Sequence, residues 1–321
     1  VEVTFIRFGT SSPGVFSFWV SLISAICMVV TATAHGTERD VMSQQKSTPV
    51  PAPDEVGRLY DRLALSAAAT FGNNLHFGYW DDPDGDVPFS EAADRLTDII
   101  TEKLKIKPGS HVLDVGCGVG GPGVRLARNT GARVTGISVS REQVTLANSL
   151  AESAGLAERV VFQQADAMKM PFPAQSFDAV MALESIPHMP DRGQVLTQIC
   201  RSLRPGGRLA LTDIYERAPI PASKRPAVDR IINNDFKATL VQAEDYPPLL
   251  RNAGLWFEEI LDISEQSCSK SLLWMLERIN EAGPDFEAMF GDGMPGRADI
   301  ADVIDIPELG YLVLAAKRPE R

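Results

Sequence analysis

Between Ser110 and Tyr215, short unbroken apolar runs alternate with stretches whose apolar positions recur at helical spacing. "HVLDVG", "ARVTGISV", "RVVFQQAD", "FDAVMAL" and "GRLALTDIY" are the apolar runs; their length and continuity predict buried strands. "GPGVRLARN", "SREQVTLANSLAESAG" and "DRGQVLTQICRSLR" lie between them and predict helices, the second with Ser140 as N-cap and Gly155 at its end. Strands that are apolar throughout, separated by amphipathic helices, predict βαβ units and a mostly parallel sheet with helices on both faces. Ahead of this block, "PDEVGRLYDRLALSAAA" and "SEAADRLTDIITEKLKI" have helical spacing, with Ser90 as N-cap of the second. A loop crowded with Gly, Asn, Asp and aromatics, "FGNNLHFGYWDDPDGD", joins them. Behind it, "YPPLLRNAGL" predicts a helix, and "FEEILDIS" and "ELGYLVLAAKRP" predict two more strands. The expected fold class is therefore α/β with seven strands.

The pattern fails in two places, 219–246 and 266–305. Both look helical but irregular, and the first is expected above the carboxyl edge of the sheet. The chain then divides into an apolar segment and disordered linker (1–53), an N-terminal helical lid (54–107), a Rossmann-like core (108–218) and a helical cap insertion (219–246). A core helix and strand (247–265), a second cap insertion (266–305) and the last core strand with its tail (306–321) complete it. There are no internal repeats.

"VFSFWVSLISAICMVVTATA", Val15 to Ala34, is uncharged and long enough for a membrane span or an export signal. The flank before it is hardly basic, since Glu2 offsets Arg7, and Met42 opens a polar, proline-rich stretch that reads like the start of a cytosolic enzyme. The expectation is a cytoplasmic protein whose residues 1–41 are absent from the mature chain, the alternative being a membrane anchor or export signal.

Composition narrows the partners. With 321 residues, 44% of them hydrophobic, a sizeable core is expected. The formal net charge of −11, with no run of Lys or Arg, disfavours nucleic acid. Cys27, Cys117, Cys200 and Cys268 are scattered without metal-binding spacing, so no metal and no disulfide framework is expected.

The chemistry concentrates where strands end. "VLDVGCGVGG" places Asp114 before Gly116, Gly118, Gly120 and Gly121, a backbone that can turn tightly beneath a ligand. Gly116, Gly118 and Gly121 fit the G-x-G-x-x-G dinucleotide pattern, yet Ser138 stands where an NAD-binding acid belongs. "LESIPHMPD" puts Glu184, Ser185 and His188 just beyond the fourth strand. Asp213 is expected to close the fifth strand.

These motifs resemble the class I methyltransferases that use S-adenosylmethionine. "VLDVGCGVG" matches their first motif, and "QADAMKMPF", "SFDAVMALESIPHM" and "LRPGGRLALTD" match the next three in order. Within the family, "NLHFGYW", "DRLTD", "HMPDRG" and "GYLVL" resemble the rebeccamycin sugar O-methyltransferase type of natural-product enzymes. The resemblance covers residues 54–318 and implies a Rossmann-like class I methyltransferase fold with S-adenosylmethionine as methyl donor. It implies that Gly116, Gly118 and Gly120 pass beneath the methionine and ribose, with Asp114 acting through the loop or on the methionine amino group. Ser138, with Gln143 beside it, would meet the ribose, Asp166 and Ala167 the adenine, and Leu183 and Glu184 the sulfonium side. Tyr60 and Tyr79 would cover the cofactor as an aromatic lid, or simply pack the N-terminal helices. Asp114 is otherwise a loop-organising carboxylate, Asp166 a helix cap, and Cys117 a small buried residue. Trp256, Trp274 and Met275 read as core rather than as a substrate box.

An aliphatic hydroxyl must lose its proton as it attacks a methyl group, which calls for a general base near neutral pKa. His188 fits that role, with Asp213 holding its imidazole or polarising the acceptor; the bland alternatives are a supporting histidine and a buried structural carboxylate. The rebeccamycin type carries two adjacent histidines here, and this chain reads Pro187-His188. An amine needs no such base, so the departure raises N-methylation as an alternative, with a carbon acceptor behind it. The expected activity is O-methylation of a small natural product in secondary metabolism, with antibiotic biosynthesis the expected setting and a glycoside among the candidate acceptors. An NAD(P)-dependent oxidoreductase is a distant alternative, disfavoured by Ser138 and by the lack of a Tyr-x-x-x-Lys pair; a catalytically idle cofactor-binding protein is a third.

Overall fold

Alternation along each strand sends neighbouring side chains to opposite faces, and the sheet uses both faces. The computed structural model describes residues 52–282 and 297–320, all within the unit Pro49–Arg321. The apolar run Val15–Ala34, Cys27 and residues 283–296 of the second insertion lie outside the described residues. Seven strands form one sheet in the order β3-β2-β1-β4-β5-β7-β6. They are β1 (His111–Val115), β2 (Arg133–Ser138), β3 (Val160–Gln164), β4 (Phe177–Ala182), β5 (Leu203–Glu216), β6 (Trp256–Asp262) and β7 (Leu309–Lys317). The first five pair in parallel, and β7 is antiparallel to both β5 and β6. Val112, Ala179, Met181 and Val313 join the core on one face, and Leu113, Val180, Ala182 and Leu312 the core on the other.

The helices are α1 (Pro53–Phe71), α2 (Phe89–Leu104), α3 (Gly121–Thr130), α4 (Arg141–Ser153), α5 (Arg192–Ser202), α6 (Arg225–Asp229), α7 (Tyr246–Ala253), α8 (Ser264–Ala282) and α9 (Arg297–Val303). Ser140 caps α4 as expected, accepting from the Gln143 amide at 3.1 Å. A π-helical turn, Arg230–Asp235, extends α6. None of the helices among the described residues is long and apolar enough to cross a membrane. Successive strands are laid outward from β1 to one side as far as β3 and then to the other side from β4 on, and such a switch point leaves a crevice beyond the strands' carboxyl ends.

Three expectations need correcting. α2 starts at Phe89, not after Ser90: Pro88 carbonyl accepts from the amides of Glu91 and Ala92, both at 3.0 Å, and Phe89 is buried. β5 runs on to Glu216 because β7 extends the ladder to Glu216↔Leu309, so Asp213 is a strand-interior residue. Trp256 is not core: it is 58% exposed on the edge strand, with the Lys317 ammonium over its ring.

Candidate functional site

The loop after β1 is tied to β2, since the amides of Gly116 and Cys117 both donate to the Ile137 carbonyl at 2.9 Å. Gly116 has φ +74°, and a Cβ there would fall 2.2 Å from the Ser185 Cβ, so the turn admits only glycine. Gly118 lines the cleft beyond it. Gly120 does not: its missing Cβ would meet the Ala147 Cβ at 2.8 Å, which lets α3 and α4 approach. Ser138, Gln143, Asp166, Ala167 and Leu183 line the same cleft. The Ser138 hydroxyl donates to Gln143 Oε1 at 2.8 Å, and Asp166 caps the turn Ala167–Lys169 by accepting from the Met168 amide at 2.8 Å. Asp114 lies behind the loop rather than in the cleft. It is buried, its Oδ2 has no partner, and burial pushes its pKa up to about 7. Cys117 is a small buried residue, and burial pushes its thiol up too.

The cleft, about 90 Å³, opens on a larger cavity of about 150 Å³. Tyr60, Leu75, Glu184 and His188 line both. The cavity walls are mostly apolar, with Leu63, Phe71, Pro187, Phe236, Trp274 and Met275 among them, and His76, Asp235 and Ser271 add polar groups. Trp274 and Met275, expected as plain core, are thus cavity wall, and Trp274 stacks on Phe89 at 3.9 Å between centroids. Among the described residues no lysine or arginine lines cleft or cavity.

Three titratable side chains meet at the seam. His188 ends a 3-10 turn, Ile186–His188. Its Nδ1 lies 3.3 Å from the Lys237 carbonyl, which can only accept, so Nδ1 carries the proton and Nε2 is the acceptor. The Tyr60 hydroxyl donates to that Nε2 at 3.1 Å. Burial lowers the His188 pKa, keeping the ring neutral near pH 7. Glu184, at φ +46°, accepts from the Phe77 amide and the Tyr311 hydroxyl, while burial raises its pKa to about 7. Lys237 is also left-handed, at φ +52°. Two strained non-glycine residues thus flank His188, a placement common at functional sites.

The structure corrects two further expectations. Asp213 does not touch His188: it is fully buried and pairs with Arg192 Nε at 3.2 Å and the Tyr246 hydroxyl. The next residue, Ile214, lines the cavity, so alternation along β5 points Asp213 to the opposite face. Tyr79 lines neither cavity; it packs against the core and its amide donates to the Ala92 carbonyl at 2.9 Å. Tyr60 is the aromatic that reaches the cleft, because Asp61 beside it accepts from the Ser140 hydroxyl at 2.6 Å and anchors α1 to the start of α4.

Several contributors escaped the sequence. Lys237 and Thr239 sit in an irregular segment with no periodicity to flag them. Tyr311 offered one clue, a phenol in an otherwise apolar strand, which needs a buried partner.

Residues 106–254 match the family model described as a methyltransferase domain. The chain is 38% identical over 297 residues to the methyltransferase GfsG of Streptomyces halstedii, covering 90% of this chain and 99% of the relative. It is 40% identical over 275 residues to the 27-O-demethylrifamycin SV methyltransferase of Amycolatopsis mediterranei (strain S699), covering 84% and 99%. The crystal structure of the 4+2 cyclase SpnF superposes with a TM-score of 0.74 at 31% identity, covering 85% of this chain and 98% of that one.

Proposed function

Because this chain belongs to the S-adenosylmethionine-dependent methyltransferases, we propose that it methylates a hydroxyl of a small, largely apolar natural product, with His188 as the general base. The observation that carries this is the shared seam: a glycine-turned cleft and an apolar cavity meet at Tyr60, Glu184 and His188.

The cleft fits the methyl donor. The missing Cβ of Gly116 lets the loop turn against Ser185, which keeps Gly116 and Gly118 on the cleft wall, and the orphaned Asp114 Oδ2 lies buried beside the loop. Gly116 and Gly118 would hold the methionine end, Ser138 and Gln143 the ribose, Asp166 and Ala167 the adenine, and Leu183 and Glu184 the sulfonium side. Bound S-adenosylmethionine supplies a methyl group already activated by positive sulfur. What this chain adds is alignment, exclusion of water and a place for the proton. α1, residues 232–238 and α8 wall the acceptor space. His188 Nε2, neutral and fixed by the Lys237 carbonyl, takes the proton of the acceptor hydroxyl once that hydroxyl reaches the position the Tyr60 hydroxyl holds here.

Cavity chemistry selects the acceptor. Among the described residues no lysine or arginine lines its walls to pair a phosphate or carboxylate. Pro187 lines it where the rebeccamycin type has a second histidine, which makes the wall more apolar and favours an aglycone over a glycoside. The relatives GfsG and the 27-O-demethylrifamycin SV enzyme lend support as named methyltransferases of actinobacteria.

The test is turnover of uncharged alcohols, glycosides and amines with S-adenosylmethionine, read by mass spectrometry. Gain of one methyl on an apolar alcohol, slowed about a hundredfold or more in His188→Ala with donor affinity unchanged, is the expected result. Methylation of amines alone, or equal rates in His188→Ala, rejects it. Mass-neutral conversion of an unsaturated substrate would instead align the chain with its cyclase relative.

A further inference from the structure

Beneath the seam lies a buried ion pair that lines neither cleft nor cavity. Asp213 is 0% and Arg192 9% exposed. Burying two charges costs several kcal/mol each, which their attraction offsets only with good geometry and further hydrogen bonds. A pair retained on those terms invites the question of what else it holds.

Arg192 opens α5, and its guanidinium spends its donors in three directions. Nε meets Asp213 Oδ2 at 3.2 Å. Nη1 donates to Thr239 Oγ1 and Nη2 to the Thr239 carbonyl, both at 2.6 Å. Thr239 in turn grips the histidine turn: its amide donates to the Pro187 carbonyl at 3.0 Å, and its hydroxyl lies 3.4 Å from the same oxygen. Two residues before it comes the Lys237 carbonyl facing His188 Nδ1. Neither 236–239 nor 186–188 belongs to a strand or an α-helix, so no ladder fixes one against the other. Lys237 is moreover held in a left-handed conformation that is strained for a side-chain-bearing residue and persists only when its surroundings enforce it.

We infer that Arg192, anchored by Asp213, is a positioning residue for His188: through Thr239 it fixes the Lys237 carbonyl that keeps the imidazole proton on Nδ1 and so makes Nε2 the accepting nitrogen. The planar fork explains why an arginine stands here, since a lysine presents a point charge and cannot hold a carboxylate, a hydroxyl and a carbonyl in one plane. Asp213 thus serves the histidine without touching it. The inference rests on His188 being the base proposed above, so its test needs one readout that does not depend on turnover.

That readout is the nitrogen NMR spectrum of protein labelled at its 4 histidines, with His188 assigned by its loss in His188→Gln. Arg192→Lys and Thr239→Val are compared with the unaltered chain and with Thr239→Ser. The unaltered chain and Thr239→Ser are expected to show His188 as the Nδ1–H tautomer. Arg192→Lys and Thr239→Val are expected to show averaged nitrogens, with kcat down roughly tenfold to a hundredfold, the scale of a misplaced catalytic group, and donor affinity unchanged. If Arg192→Lys does not fold, Thr239→Val decides alone, because it deletes one hydroxyl and leaves the ion pair whole. A variant that folds and retains both the Nδ1–H tautomer and kcat overturns the inference. An averaged tautomer with unchanged kcat would leave the positioning contact standing and reject His188 as the base.

Discussion

The donor half of the cleft is built from strand ends and a glycine turn, whereas the acceptor half is built from side chains on α1, α8 and the segment 214–238. The first is held by the sheet itself: Gly116 and Cys117 hang from the Ile137 carbonyl, and Asp114 pairs in register with Gly136 and Met181. The second is held by contacts between elements far apart in the chain, such as Tyr60 with His188 and Glu184 with Tyr311. A cofactor shared by a family suits the rigid half, and an acceptor that differs between members suits the half that packing can remodel.

The sharpest way to break this comparison is to fill the glycine turn. Gly116→Ala would set a Cβ against the Ser185 Cβ in a left-handed conformation, so donor affinity should fall by about a thousandfold or more, roughly 4 kcal/mol. Gly118→Ala is the comparison: the nearest atom to its Cβ is Leu75 Cδ1 at 3.7 Å, so only the backbone cost of about 1–2 kcal/mol applies. Titration calorimetry with S-adenosylhomocysteine separates them, and equal affinities for both would sink the idea of a main-chain cradle.

The same division decides what could be read from the sequence. Strands β1 to β5 and β7 were legible as local apolar runs, β6 through the shorter stretch "FEEILDIS", and the donor half followed because its residues sit where those runs stop. Asp213 misled because nothing local says that β7 prolongs β5 past it. Trp256 misled for a related reason: an apolar residue in a strand is buried or exposed according to where the strand lies in the sheet, and β6 lies at its edge. Of the acceptor half only His188, Glu184 and Tyr60 were legible, the last two as neighbours of the cofactor. Arg192 looked like an ordinary first-turn residue of a helix, and Lys237 acts through a carbonyl that every residue possesses.

Acidity should act through His76 and Asp114 with opposite signs. His76 lines the acceptor cavity and is buried, its Nδ1 donating to the Phe77 carbonyl at 2.8 Å. Burial pulls its pKa from 6.5 to about 4. Between those values the unfolded chain binds a proton that the folded one refuses, so stability is fully present above 6.5 and lost as pH falls toward 4, by roughly 3 kcal/mol. Asp114 does the reverse. Its carboxyl is raised from 3.8 to about 7, so its contribution is fully present below 3.8 and lost as pH rises through about 7. Urea unfolding across this range should show a steeper acid loss in the unaltered chain than in His76→Gln. Hydrogen exchange should show acid opening α2 and the cavity wall before the glycine loop; the opposite order would mean that the two halves do not respond separately.

The mildest test removes one wall of the acceptor half. Trp274 is stacked flat on Phe89, at 11° and 3.9 Å, with the Arg278 guanidinium 5.7 Å from its ring, and it faces the cavity without lining the donor cleft. Trp274→Ala deletes aromatic surface that an apolar acceptor would bury, and a stacked pair of this kind is worth about 1 kcal/mol beyond its area. The KM for the acceptor should therefore rise about tenfold, or 1.4 kcal/mol, while kcat at saturation and donor affinity stay within twofold or so. Trp274→Phe should recover most of the loss, because it restores a ring over Phe89. A donor affinity that falls in step with the acceptor KM would show that α8 supports the whole cleft rather than one half, and the distinction between a cofactor side fixed by the sheet and an acceptor side fixed by packing would have to be given up.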